Sequence, residues 1–125
     1  MARALIDTTV LFAGAYRRDE RHDTGRAILQ AIDSGACPET VVLDYVLAET
    51  MNGLLRHAGH DAAVDMLDRI EENRQFDVVA TSGADLARAK GLFRSFDGLS
   101  LVDAAIVAHA RSNDVAYCYS FDDDF

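Results

Sequence analysis

Four acidic residues of this chain stand where carboxylates are unexpected. Asp7 ends the apolar segment near the start of the chain, Glu49 follows three apolar residues, and Asp103 interrupts a longer apolar run. The fourth, Asp122, opens a run of three adjacent aspartates. A carboxylate removed from water without a partner costs several kcal/mol or becomes protonated. Each of these positions therefore requires a cation or hydrogen-bond donors close by.

The chemistry that suits such a group of acids is the binding of a hard divalent cation. Converging carboxylates raise one another's pKa values, whereas Mg²⁺ or Mn²⁺ takes oxygen ligands and neutralises the charge. The protein itself offers few cations, since 12 Lys and Arg residues face 21 Asp and Glu residues. The four acids therefore predict a metal site, provided that the fold brings them together.

The elements that must position these acids alternate along the chain. Four short, nearly all-apolar segments are typical of buried parallel strands, at 3–6, 40–43, 76–80 and 115–119. Helical patterns lie between them, at 19–33, 44–57, 62–73, 84–96 and 101–111. Ser82 with Asp85, and Ser100 with Asp103, match capping boxes at two helix starts. The alternation predicts an α/β fold, a three-layer α/β/α sandwich with a mostly parallel central sheet, in a single domain over residues 1–125.

In an open parallel sheet, ligands bind beyond the carboxyl ends of the strands. Asp7 and Asp122 directly follow predicted strands, Glu49 lies about a turn and a half into the helix after the second strand, and Asp103 lies in the first turn of the last helix. All four can face the same edge of the sheet. The predicted topology thus gives the acids one meeting place.

The composition indicates an unusual environment. At 125 residues the chain has room for one core, and its formal net charge is −9. Lys90 is the sole lysine, and 16 of the 21 acids are aspartates. In molar salt the repulsion among such charges is screened over roughly 3 Å, and abundant carboxylates keep a protein solvated. The scarcity of lysine and the excess of aspartate over glutamate therefore predict a halophilic protein.

Other features restrict the class of protein. The apolar runs are shorter than the roughly 18 to 20 residues of a membrane span, and no export signal is readable, which predicts a cytoplasmic protein. Cys37 and Cys118 lack metal-ligand spacing and are expected to be reduced thiols. Arg17, Arg18 and Arg21 form a basic patch that suits phosphates, although a solvated loop is the simpler explanation.

The segments around the four acids resemble the PIN-domain family of metal-dependent ribonucleases, which includes the toxins of many toxin–antitoxin pairs. The matching motifs are Leu-Ile-Asp-Thr-Thr-Val-Leu at 5–11, Val-Leu-Ala-Glu-Thr at 46–50, Leu-Ser-Leu-Val-Asp-Ala-Ala-Ile-Val-Ala at 99–108, and Tyr-Ser-Phe-Asp-Asp-Asp-Phe at 119–125. Each motif is weak alone, but their order and spacing over nearly the whole chain are specific.

The resemblance implies both a site and a function. The implied catalytic and metal-binding residues are Asp7, Glu49, Asp103 and Asp122, with Mg²⁺ or Mn²⁺ as the cofactor. Thr9 and Ser120 would place hydroxyl groups beside them. Family members commonly continue past the last motif into another short strand, whereas this chain stops at Phe125. The Asp122 loop would therefore be loosely held, and Asp124 would substitute as a metal ligand or lie beside the ligands. The implied reaction is hydrolysis of RNA phosphodiester bonds by an endoribonuclease. An antitoxin protein and a homodimer are the implied partners.

Other activities fit the sequence less well. A haloacid-dehalogenase-type phosphotransferase needs a second Asp where Thr9 stands, and a receiver domain needs a late lysine outside a helix, unlike Lys90. His57 and His60 have ligand-like spacing, but Gly59 between them predicts a helix break and exposed histidines. The remaining alternative is a catalytically silent PIN-like module that acts through protein contacts.

Overall fold

The computed structural model of the protein describes residues 3–122. These residues form four strands, β1 (Ala4–Ile6), β2 (Thr40–Leu43), β3 (Phe76–Val79) and β4 (Tyr117–Tyr119). They also form six helices, α1 (Thr8–Ala15), α2 (His22–Asp33), α3 (Asp44–Ala58), α4 (His60–Glu72), α5 (Gly83–Ser95) and α6 (Leu101–Ser112). The predicted alternation of strands and helices is confirmed.

The four strands form one sheet in the order β3-β2-β1-β4, and every pairing is parallel. Leu5 in the central strand β1 is paired with Val41 on one side and with Cys118 on the other. The chain moves outward from β1 through β2 to β3 and then returns to add β4 on the other side of β1. The point where the direction reverses, between β1 and β4, is the usual place for a ligand in such a sheet.

The helices cover the sheet in two groups. Helix α1 packs against α2 and α3, and α3 against α4, whereas α5 packs mainly against α6. Because parallel crossovers are right-handed, the reversal after β3 places α5 and α6 on the face opposite to the other four helices. The result is the predicted three-layer sandwich. Strands β1 and β2 are completely buried within it, which explains their all-apolar sequences.

Helix α1 was missed by the sequence analysis, which assigned no element to residues 8–15. Its residues are apolar on nearly every side, with Val10, Leu11 and Ala13 all buried, so an amphipathic period is absent. The predicted helix at 19–33 was too long at its start, since α2 begins at His22. The two capping boxes are confirmed, with Ser82 and Ser100 accepting hydrogen bonds from the backbone N–H groups of the acids three residues on.

The structure bears on three further expectations. None of the helices within residues 3–122 has the length and apolarity needed to cross a membrane. Cys37 and Cys118 are free thiols, as expected. Gly59, with φ of +96°, separates α3 from α4, which confirms the helix break predicted between His57 and His60.

A close helix contact holds α1 against α2, and it depends on two glycines. A Cβ at Gly25 would lie 2.7 Å from the backbone nitrogen of Gly14, and a Cβ at Gly14 would lie 2.4 Å from Leu29 Cδ1. Asp7 caps the start of α1, so this contact also fixes the position of the helix that follows Asp7. The glycines thus support the geometry of the site.

Replacing Gly25 with alanine should therefore destabilise the protein by about 1–3 kcal/mol, because the added methyl group meets backbone rather than a flexible side chain. The matched control is Gly91→Ala in the exposed middle of α5, where no atom lies within 4 Å of the added Cβ. That change should raise stability by about 0.5–1 kcal/mol. Urea denaturation of both variants checks the prediction, and a neutral Gly25→Ala would contradict it.

Candidate active site

Asp7 lies at the carboxyl end of β1 and begins α1, and its carboxylate is almost completely buried. One oxygen, Oδ1, accepts hydrogen bonds from the Thr9 hydroxyl at 2.5 Å and from the Val10 backbone N–H at 3.4 Å. The other oxygen accepts a hydrogen bond from the Ser120 hydroxyl. The donors hold the carboxylate in one orientation between β1 and β4. Thr9 and Ser120 therefore stand beside Asp7 as the sequence analysis expected.

Asp103 lies in the first turn of α6, where Ser100 caps the helix by accepting the Asp103 N–H at 3.0 Å. Burial raises the pKa of the Asp103 carboxyl, and repulsion from Asp122 and Asp7 raises it further, while the hydrogen bonds to Ser100 oppose the change. The carboxylates of three separate elements are therefore close enough to influence one another. The fold places Asp7, Asp103 and Asp122 within electrostatic reach of one another.

The segment that carries Asp122 is fastened to the rest of the site. Phe121 donates its N–H to the Thr9 hydroxyl at 3.0 Å, and the Asp122 N–H donates to the Ser120 hydroxyl at 2.9 Å. Arg21 donates to the Phe121 carbonyl at 2.8 Å, and its guanidinium lies 5.1 Å from the centre of the Phe121 ring. These contacts place Asp122 beside Asp7. Asp124, a further predicted ligand, lies outside the described residues.

Arg21 thus has a contact within the protein that sequence reasoning missed. Its partner is 100 residues away in the chain, so no local pattern could have revealed the contact. Arg17 and Arg18 are exposed in the turn between α1 and α2. The assignment of this arginine patch to RNA binding stays a prediction.

Glu49 projects from α3 and is exposed at a cleft of about 640 Å³. The same cleft is lined by Thr8 and Val102, the chain neighbours of Asp7 and Asp103. Glu49 therefore faces the region of the other acids from the side of α3. The side-chain oxygen of Thr8 is buried and has no hydrogen-bond partner among residues 3–122.

Cys118, in β4, lies near the acidic cluster. Burial raises the pKa of its thiol to about 12, with further contributions from the negative charges of Asp7 and Asp103. The thiol is therefore protonated at neutral pH and adds no charge to the site. It is unsuited to act as a nucleophile, because thiolates and not thiols perform that reaction.

The donors gathered here fit a hydrated Mg²⁺ or Mn²⁺ ion. Within residues 3–122, no three His, Cys, Asp or Glu side chains are arranged to hold a metal unaided. Mg²⁺ in proteins usually keeps several waters and binds one or two carboxylates, so a complete protein cage is unnecessary. The ligands are hard oxygens, and the unpartnered Thr8 hydroxyl is suited to a bound water. A cation would also relieve the repulsion at Asp103.

A second buried acid lies away from this cluster. Asp85 in α5 accepts a hydrogen bond from the Ser112 hydroxyl at 3.1 Å and lies 3.9 Å from Nδ1 of the buried His109. Burial lowers the pKa of His109, while Asp85 acts in the opposite direction. The pair joins α5 to α6.

Comparisons with family profiles and with solved structures both found matches. The sequence profile of the PIN domain matches residues 4–125. The structure resembles the crystal structure of Mycobacterium tuberculosis VapC20, described as a sarcin-ricin loop cleaving toxin, with a TM-score of 0.85 and 26% identity over 97% of this chain and 91% of the other. A toxin–antitoxin complex from Klebsiella pneumoniae has the same fold, with a TM-score of 0.67 and 19% identity over 97% and 88% of the chains. Among curated proteins, none matches the sequence.

Proposed function

The chain belongs to the PIN-domain family, and from this premise we propose that it is a divalent-metal-dependent endoribonuclease, the toxin of a toxin–antitoxin pair. The observation that carries the proposal is the convergence of Asp7, Asp103 and Asp122 from three elements at the reversal point of the sheet. The likeness to VapC20, which is described as a sarcin-ricin loop cleaving toxin, supports RNA as the substrate. Mg²⁺ or Mn²⁺ is the proposed ion.

The roles of the residues follow from their positions. Asp7 and Asp103 would hold the ion, and Glu49 would orient a water from the α3 side. Asp122 would be the fourth acid of the site. An ion held by these residues would supply a water of lowered pKa and would neutralise charge on the phosphate that is attacked. Thr9 and Ser120 keep the Asp7 carboxylate in place through their hydrogen bonds. No covalent intermediate with the protein is needed.

An acidic protein can bind RNA if positive charge is supplied locally. The net charge of −9 disfavours general attraction to phosphates. A bound ion would provide that charge at the reacting phosphate, and arginines at the rim, among them Arg17, Arg18 and Arg21, are the proposed contacts to the RNA backbone. Cleavage would therefore depend on the ion, whereas the arginines would contribute to binding without it.

The partners are proposed from the same comparisons. The Klebsiella structure contains a toxin with its antitoxin, which supports an antitoxin protein as the inhibitor of this chain. A homodimer and a cytoplasmic location are part of the same proposal. A catalytically silent module is less favoured, because a purely structural role would not require acids that repel one another.

The direct test of the proposed function is incubation of the purified protein with a mixture of single-stranded RNAs. Cleavage should occur with millimolar Mn²⁺ or Mg²⁺ and stop when EDTA removes the ion. Analysis of the fragments by sequencing would then identify the target. Absence of any metal-dependent cleavage, over a range of salt concentrations and RNA sequences, would favour the interaction module.

The composition adds a proposal about environment, namely that the protein works in concentrated salt. Its stability should rise steeply between low salt and molar KCl, because screening reduces the repulsion among 21 acidic residues. The measurement is the urea midpoint at a series of KCl concentrations. A midpoint that levels off below about 0.2 M would indicate an ordinary acidic protein, since the Debye length is already about 8 Å at 0.15 M.

A further inference from the structure

We propose that the cleft between α1, α3 and the start of α6 binds a nucleotide that flanks the phosphodiester to be cleaved. Its base would lie against the ring of Tyr45, the base of a following nucleotide would lie against the ring of Phe12, and a phosphate of the same strand would bind Arg56. All three residues line the cleft. The inference rests on the proposed function, because Glu49 at one end of the cleft connects it to the acidic site.

One face of α3 forms a wall of this cleft. Tyr45, Glu49, Asn52 and Arg56 follow one another at intervals of four, three and four residues, which places them in one row along the helix. Beyond Tyr45, the row passes from the acid Glu49 to the amide Asn52 and then to the cation Arg56. Glu49 and Arg56 are about 10.5 Å apart along the helix axis. A strand whose reacting phosphate lies near Glu49 would therefore present a later phosphate to Arg56.

The opposite part of the cleft provides a fixed aromatic surface. The Phe12 ring is held between Tyr16, whose ring centre is 5.1 Å away, and His57, which meets it edge-on at 5.8 Å. A Cβ at Gly53 would lie 3.3 Å from Phe12 Cδ1, so the glycine lets the ring lie close to α3. Leu101 closes the cleft from the α6 side and is partly exposed. Such a surface suits the flat, apolar face of any base.

The polar groups of the cleft favour a nucleotide over an apolar protein segment. Arg56 is exposed and forms no ion pair with any of residues 3–122, so its charge is available to a phosphate. The buried Thr8 hydroxyl also lacks a partner in that part of the chain. Asn52 offers a donor and an acceptor between them. Aromatic rings interleaved with donors and a cation are the usual means of holding single-stranded nucleic acid.

The test measures binding separately from cleavage. A fluorescein-labelled 12-nucleotide oligouridylate is titrated with the full chain in EDTA, and anisotropy is followed at several KCl concentrations. Arg56→Gln should weaken binding and reduce the slope of log K against log salt by about 0.7, the value for one phosphate contact on a single strand. Tyr45→Leu, which keeps the apolar packing but removes the ring, should weaken binding roughly 5- to 100-fold, the range for loss of one stacked base.

Two control variants match these changes. Arg94 is another exposed arginine in the last turn of a helix, α5, so Arg94→Gln should leave both the affinity and the salt slope unchanged. Tyr45→Phe keeps the ring and should bind like the wild type. Thermal melting of each variant verifies that it is folded before its affinity is interpreted.

The outcomes separate this inference from the proposed function. If the wild type cleaves RNA but Arg56→Gln and Tyr45→Leu bind the oligonucleotide like the wild type, the cleft inference is overturned and the proposed function stands. The inference is likewise overturned if both variants lose affinity for an antitoxin while RNA binding is unchanged. Wild-type protein that fails to bind the oligonucleotide would also overturn it. Absence of metal-dependent cleavage, by contrast, counts against the proposed function alone.

Discussion

The Asp7→Asn variant should lose metal-dependent RNA cleavage by at least about 100-fold, because even groups that only orient metal ligands are worth 10- to 100-fold. It should also lose the rise in melting temperature that Mn²⁺ gives the wild type, since an ion bound only to the native state stabilises it by mass action. The fold should persist. Asparagine still accepts the Val10 N–H at the start of α1, so the helix cap is retained.

The control for this variant is Asp65→Asn, on the exposed side of α4. It removes one negative charge from the surface and should leave cleavage and the Mn²⁺-dependent melting shift unchanged. Cleavage assays and melting curves with and without Mn²⁺ give both readouts for each protein. If Asp7→Asn cleaved RNA at the wild-type rate, Asp7 would have no role as a metal ligand.

Asp103→Asn and Ser100→Ala should have opposite effects, although the two residues share one helix cap. Asp103→Asn should abolish cleavage and, without metal, hold or increase stability, because it removes a charge that Asp7 and Asp122 repel. Ser100→Ala loses the hydroxyl that accepts the Asp103 N–H and should cost on the order of 1 kcal/mol, with cleavage retained. Melting temperatures and cleavage rates of both variants decide between a metal ligand and a mere capping residue.

The pH dependence of the metal-free protein follows from the same repulsion. The folded state raises the pKa of Asp103 above its ordinary value of 3.8, so the folded protein holds this proton more tightly than the unfolded chain does. Stability therefore falls as pH rises from about 3.8 through the raised pKa, and the destabilisation is complete above it. Asp103→Asn should remove this part of the pH dependence. An Asp103→Asn variant that cleaves RNA at the wild-type rate would instead show that Asp103 acts only as a capping residue.

Much of the fold could be predicted because its strands are buried on both sides. Strands β1 and β2 have no exposed residue, so their sequences are continuously apolar and easily recognised. Helix α1 could not be predicted in the same way, since it begins one residue after β1 and is itself mostly buried. Its position is determined by contacts with α2, such as that between Gly14 and Gly25, which are too irregular to form a local pattern.

The candidate site likewise contains some residues that local sequence reveals and some contacts that it does not. Asp7 and Asp103 could be predicted because an acid within an apolar run conflicts with its surroundings. The contacts of Arg21 with Phe121 and the cleft around Arg56 could not, because they join parts of the chain that only the tertiary structure brings together. A spacing of seven residues from Glu49 to Arg56 was visible in the sequence, but only the structure shows which side of α3 faces the cleft.

The acids beyond the carboxyl ends of β1 and β4 are proposed to form a divalent-metal site. This site can be tested by isothermal titration calorimetry of Mn²⁺ into the wild-type protein at moderate salt, with Asp7→Asn titrated in the same way for comparison. We expect saturable binding to the wild type and strongly weakened binding to the variant. Absence of binding to the folded wild type, or equal binding to both proteins, would contradict the claim.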